Sequence, residues 1–119
     1  MASILVVDDE RDISEALKSI LEDEGHEVTV CGDGREAAEH LDKTGDVDLV
    51  ISDVMMPKVS GLELLERIRE SGKGGRPPVI LMSGVNPTRT KSQARWDEFI
   101  KKPFNLDTLL HAVNRQLAR

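Results

Sequence analysis

The stretch Ile4-Leu5-Val6-Val7-Asp8-Asp9 decides how the chain is read. Four consecutive apolar residues are too few for a helix. They do not alternate with polar ones, so the run suits a strand covered on both faces. It ends abruptly on two carboxylates. Similar runs recur along the chain at Val28-Thr29-Val30, Val47 to Ile51, Val79-Ile80-Leu81-Met82 and Phe99-Ile100. The first, third and fourth are nearly continuous in apolar residues and read as central strands. The second and fifth have polar flanks and read as edge strands.

The segments between the runs have helical period. Ile13, Ala16, Leu17, Ile20 and Leu21 form one expected stripe, and Gly25 ends that helix. Asp33 with Glu36 has capping-box spacing ahead of Ala37, Ala38 and Leu41. Ser60 with Glu63 repeats it ahead of Leu62, Leu65 and Ile68. A fourth helical segment within Pro87 to Trp96 is poor in apolar residues. Asn105 can cap a last helix carrying Leu106, Leu109, Leu110, Val113 and Leu117. The pattern is βα five times over. Crossovers of this length build right-handed βαβ units, so an α/β fold with a parallel sheet and helices on both faces is expected.

Composition narrows the function classes. The 119 residues suit a single domain over 1–119, and 39% apolar with 32% charged residues suits an ordinary globular one. A formal charge of -6 without a Lys/Arg run of five or more argues against nucleic-acid binding by this chain. No segment approaches the ~20 apolar residues that span a bilayer, and Ile4 to Val7 is too short for a leader, so no membrane role and a cytoplasmic location are expected. Cys31, the lone cysteine, is expected as a small buried hydrophobe. His26, His40 and His111 match no metal spacing.

In an open parallel sheet the functional groups lie beyond the carboxyl ends of the strands. Asp8 and Asp9 follow the first run, and Asp53 follows the third. Three carboxylates converging on one pocket repel each other when bare and call for a hard cation bound through oxygen. Magnesium fits best, because it accepts few carboxylates and keeps its waters. Glu10 and Asp12 read instead as solvated or helix-capping groups. Ser83 follows the fourth run and Lys102 the fifth. A lysine can neutralise a phosphoryl oxygen, and a hydroxyl can donate a hydrogen bond to another. A phosphoryl group on Asp53 would bear about -2 near neutral pH, which magnesium and Lys102 would offset.

These residues resemble the receiver-domain family of two-component signalling. The matching pieces are Ile4-Leu5-Val6-Val7-Asp8-Asp9, Asp53-Val54-Met55-Met56-Pro57 with Gly61, Met82-Ser83-Gly84 and Lys102-Pro103-Phe104. Each piece is weak alone; the four in this order are highly specific and cover essentially the whole chain. The resemblance implies a flavodoxin-like, five-stranded parallel sheet in order 2-1-3-4-5. It implies that Asp53 takes a phosphoryl group from a sensor histidine kinase or a histidine phosphotransfer protein. Asp9 and Asp53 would then touch Mg2+ directly, with Asp8 acting mainly through water and the backbone carbonyl of Met55 completing the protein ligands. Lys102 and Ser83 would hold phosphoryl oxygens, Ser83 and Phe99 would form the switch, and the Lys102-Pro103 bond would be cis. Such a chain is a switch that assists its own phosphoryl transfer and loss, not an enzyme with a separate substrate. Its output face would be the fourth helix, fifth strand and fifth helix, toward a downstream protein that the sequence leaves unnamed.

Two features depart from the common pattern. The interval from Ser83 to Lys102 is shorter by roughly three residues, nearly one turn, so a shortened fourth helix is expected. Met55 and Val85, two residues past Asp53 and Ser83, are apolar, and the resemblance implies that these positions flank the path of a hydrolytic water. That predicts a comparatively long-lived phosphoryl state. The segment from Gly84 to Asp97 is expected to be the mobile output region, with Trp96 either partly buried or a partner anchor.

Three other readings compete. A pseudo-receiver would bind partners without ever taking phosphate. A phosphatase of the haloacid-dehalogenase type wants a second Asp two residues after its nucleophile, and Met55 stands there. A flavin carrier wants a hydroxyl- or glycine-rich phosphate loop after the first strand, where Asp8, Asp9, Glu10 and Asp12 would repel the flavin phosphate.

Overall fold

Each apolar run becomes a strand of one sheet. The computed structural model describes residues 2–44, 47–54, 63, 64, 66, 77–84 and 96–118. The strands are β1 (Ser3–Val7), β2 (Glu27–Cys31), β3 (Leu49–Asp53), β4 (Val79–Ser83) and β5 (Glu98–Lys101). They pair in parallel in the order β2-β1-β3-β4-β5. The polar-flanked runs therefore occupy the two edges. The third strand sits two residues later than its apolar run implied, so Val47 precedes it and Asp53 is its last residue.

Alternation along the strands sorts the core into two layers. Ile4, Val6, Leu49, Ile51, Ile80, Met82 and Ile100 face one side, where Leu17, Leu21, Leu109 and Val113 cover them. Those four come from α1 (Arg11–Asp23) and α3 (Leu106–Leu117). Leu5, Val7, Val50, Val79 and Leu81 face the other side, against Ala37 and Ala38 of α2 (Gly34–Thr44) and the helical Leu64. With helices on both faces, β1, β3 and β4 are buried almost end to end. That explains why their sequences do not alternate. No helix among the described residues is long and apolar enough to cross a membrane.

The helix stripes differ from expectation at two positions. On α1 the buried line runs Ser14, Leu17, Leu21, and Ala16 is exposed. On α3 it runs Leu109, Ala112, Val113, Gln116, and Leu106 is 48% exposed. In both helices the small or polar residue at the right phase lies closer to the sheet than the apolar residue at the wrong one. Period places a residue; hydrophobicity alone does not.

Local chemistry sets the helix ends. Gly25 has φ of 92°, a left-handed conformation that a β-carbon disfavours, and it turns the chain from α1 into β2. The Asp33 carboxylate accepts from the Glu36 N–H at 2.8 Å, and Glu36 reaches back to the Gly32 N–H at 3.4 Å. Asn105 accepts from the Thr108 N–H at 2.8 Å, starting α3. Each such cap contributes about 1 kcal/mol. The Ser60–Glu63 box, the 87–95 part of the fourth segment and its expected shortening lie outside the described residues.

Edge strand β5 is tied to α3 by a polar clamp. Glu98 accepts two bonds from Arg115, at 2.6 and 3.0 Å, and one from Gln116 at 2.8 Å. The Arg115 hydrogen bond lowers the Glu98 pKa against the opposing effect of burial, and Gln116 adds to the lowering.

Two predictions follow from this packing. A carboxylate with a depressed folded pKa contributes stability above its unfolded pKa and loses it as pH falls through the folded one. Glu98→Gln should therefore lower the thermal midpoint by a few degrees at pH 7, and the difference from wild type should close below the ordinary carboxylate range; a difference independent of pH would remove the clamp's electrostatic role. Burial, aided by Glu36 and Asp33, pushes the Cys31 thiol up to about 12. The folded protein should resist a thiol-disulfide reagent at pH 8 and react once per chain in denaturant, as read by absorbance.

Candidate functional site

The sheet register brings the polar strand ends together. Val7 lies opposite Ser52, so the next residues, Asp8 and Asp53, are neighbours across β1 and β3. Asp53 in turn lies opposite Met82, and Ser83 opposite Lys101. Hydrogen bonds continue the ladder past the strands. The Asp8 N–H donates to the Cys31 carbonyl at 3.1 Å and the Val54 N–H to the Met82 carbonyl at 2.9 Å. The Lys102 N–H donates to the Ser83 carbonyl at 2.8 Å, which fixes the lysine beside the end of β4. The Lys102–Pro103 peptide bond is cis.

One ammonium ties these ends together. Lys102 Nζ lies 3.2 Å from Asp8 Oδ2, 3.4 Å from Asp53 Oδ2 and 3.8 Å from Glu10 Oε1. The side chains of Lys102, Asp8 and Asp53 are only 17%, 0% and 7% exposed. Burial disfavours the charged lysine, but the Asp8 and Asp53 carboxylates outweigh it and its pKa is raised. The other oxygen of Asp8, Oδ1, accepts the Glu10 N–H at 2.9 Å. Both oxygens of Asp8 thus have protein partners. Among the described residues, no buried side-chain polar atom lacks one.

Asp8, Asp9, Glu10 and Asp53 each offer an oxygen within 4.8 Å of the others. An all-oxygen, anionic donor set of this kind suits a hard divalent cation. Asp9 and Glu10 are exposed and form the mouth, while Asp8 and Asp53 form the floor. Ser83 is buried at the end of β4, one residue past the level of Asp53. Lys101 is exposed and points away, because successive strand residues face opposite sides. Phe99 is half-buried and packs with Trp96 against the second core layer.

Glu10 was read from the sequence as a solvated or helix-capping group, and its side chain is 63% exposed, but it also borders the carboxylate cluster. It is the N-cap of α1 by its backbone, as a capping group should be, yet its side chain makes no capping hydrogen bond. The carboxylate joins the cluster instead. The only sequence signal was its place directly after Asp8 and Asp9, and a strand-to-helix turn can aim that position either way. Met55 and Val85, and with them the expected backbone ligand and the water path, lie outside the described residues, as does 85–95 of the expected output segment.

Known proteins are similar to this chain in sequence and fold. The family model for the response regulator receiver domain matches residues 4–114. The transcriptional regulatory protein DltR of Streptococcus agalactiae is 40% identical over 113 residues, covering 92% of this chain and 49% of that protein. CpxR of Escherichia coli is 36% identical over 122 residues, covering 100% of this chain and 50% of its own length. The chain thus spans about half the length of these curated relatives. Among solved structures, the response regulator TrrA of Thermotoga maritima, in complex with Mg(2+)-BeF, superposes with a TM-score of 0.87 at 39% identity, covering 98% of this chain and 100% of that one. The chemotaxis response regulator CheY4 of Vibrio cholerae gives 0.88 at 32% identity, with 98% and 99% covered. With the family model matching nearly end to end on a sheet of the same order, the chain belongs to the receiver-domain family of two-component response regulators.

Proposed function

We propose that residues 1–119 act as one receiver domain that takes a phosphoryl group onto Asp53, with Mg2+, from a phosphohistidine on a sensor kinase or a histidine phosphotransfer protein. The observation that carries this reading is the buried ammonium of Lys102 shared between Asp8 and Asp53, at 3.2 and 3.4 Å. A structural ion pair needs one carboxylate. A lysine held between two, in an oxygen-rich cluster, is placed to meet a further anion. A cytoplasmic location suits such a donor.

Asp53 is the nucleophile. One of its carboxylate oxygens attacks phosphorus as the phosphorus–nitrogen bond to the donor imidazole breaks, and the leaving imidazole nitrogen takes a proton from solvent. Little covalent work falls to other residues, so positioning and charge neutralisation dominate. Lys102 turns from Asp53 toward a phosphoryl oxygen, and the Ser83 hydroxyl donates to another. Magnesium, when bound, supplies neutralising charge at the phosphoryl oxygens. Asp9 and Asp53 would hold it directly and Asp8 mainly through water. The backbone carbonyl of Met55 would complete the protein ligands. Recruitment of Ser83 and reorientation of Phe99 would then pass the change to β5, α3 and the segment before them, the face offered to a downstream protein. The apolar Met55 and Val85 favour slow loss of the phosphoryl group.

Two experiments test the reading. A small phosphodonor with magnesium should add one phosphoryl group to the wild type by intact mass and none to Asp53→Asn; undiminished labelling of that variant would move the acceptor elsewhere, and no labelling of the wild type would favour a pseudo-receiver. Lys102→Ala should slow labelling by on the order of 100-fold, while Lys101→Ala leaves it near wild type. The reverse ranking would overturn the assignment of Lys102.

A further inference from the structure

We propose, on the reading of Asp53 as the phosphoacceptor given above, that Ser52 is a positioning residue for phosphoryl transfer, its hydroxyl fixing the backbone from which the Asp53 nucleophile projects. Ser52 is the next-to-last residue of β3 and is fully enclosed, with 0% exposure. Strand alternation turns it away from the site, to the side of Val50 and Val54. Its neighbours across the sheet are Val7 and Leu81, both in the same apolar layer. A hydroxyl in such surroundings costs stability unless it is hydrogen-bonded, and an apolar side chain would fill the place without that requirement. The Ser52 Oγ–H donates to the Asp53 carbonyl at 3.0 Å.

That carbonyl belongs to the peptide unit that leaves Asp53. The N–H of the same unit, on Val54, donates to the Met82 carbonyl at 2.9 Å. Both polar atoms of the unit are therefore held, one by β4 and one by Ser52, and its plane is fixed at the point where β3 ends. A fixed plane sets the backbone torsion of Asp53 and with it the direction in which the side chain leaves the strand. The anchor matters most during transfer. Before it, Lys102 Nζ restrains the Asp53 carboxylate from 3.4 Å. Once the ammonium turns to a phosphoryl oxygen, that restraint is gone, and aiming the attacking oxygen falls to the backbone and the bound cation. In-line attack is sensitive to misplacement of about 1 Å, so loss of one of the two anchors is expected to slow transfer by roughly threefold to tenfold.

The competing role for Ser52 is that of a small core residue, for which volume matters and the donor does not. Initial rates of phosphoryl incorporation from a small phosphodonor with Mg2+, read by intact mass beside the thermal midpoint, separate the two for Ser52→Cys, Ser52→Ala, Ser52→Thr and Val50→Ala. Cysteine nearly keeps the volume but is a weak donor, whereas threonine keeps the hydroxyl and adds a methyl group. The expected result is that Ser52→Cys and Ser52→Ala slow labelling by roughly threefold to tenfold while Ser52→Thr stays within about twofold of wild type. Val50→Ala, which hollows the same layer two residues away, should lower the midpoint and leave the rate within about twofold of wild type. A packing role gives the reverse order, with cysteine nearest wild type and the overpacked threonine slowest, and that order overturns the proposal. A Ser52→Thr rate as low as that of Ser52→Ala does so too, as does Val50→Ala slowing labelling as much as Ser52→Ala. If the wild type takes up no phosphoryl group, the phosphoacceptor reading itself fails. A labelled wild type with unaffected Ser52 variants leaves that reading standing and removes only the role of Ser52.

Discussion

The Lys102 ammonium held between Asp8 and Asp53 is the constraint on which the site depends. Burying any one of these charges alone costs several kcal/mol. Together at 3.2 and 3.4 Å they offset one another, although two carboxylates against one ammonium leave the floor of the site negative. The fold can tolerate that residual charge because Asp9 and Glu10 open the cluster to water. The charge of such a site favours a cation. A lysine that serves both buried carboxylates is also the group best placed to leave one of them for a new anion.

The rest of the architecture holds those three residues in register. Asp8 and Asp53 come from adjacent central strands, whose side chains below the site are buried on both faces. Lys102 comes from the edge, where a strand has only one neighbour and less to hold it. The Lys102 N–H bond to the Ser83 carbonyl fixes one end of β5. The Glu98 clamp onto Arg115 and Gln116 fixes the other to α3. The half-buried Phe99 lies between these two attachments.

Most of the fold was legible in the residues. Five apolar runs alternating with helical periods specify a parallel α/β sheet, because continuous apolar strands demand cover on both faces. Polar flanks marked β2 and β5 as edges, and the Asp33 and Asn105 caps lie where their spacing put them. Ala16 and Leu106 were misassigned for one reason. A stripe drawn through apolar letters overlooks that Ser14 and Gln116 have the correct phase and can be buried once their polar atoms find partners.

Sequence by itself determined which polar residues end each strand, and so that Asp8, Asp53, Ser83 and Lys102 would share the carboxyl end of the sheet. Polar flanks placed β2 and β5 at the edges, but the full strand order was available only through the family resemblance, since nothing in the three apolar runs says which one lies beside which. The tertiary structure decided two further things: the pairing of one lysine with two carboxylates, and the place of the Glu10 carboxylate beside the cluster. Each depends on distances between residues far apart in the chain or on the direction of a turn. Charge interactions vary too steeply with separation and burial to be read from spacing along a sequence.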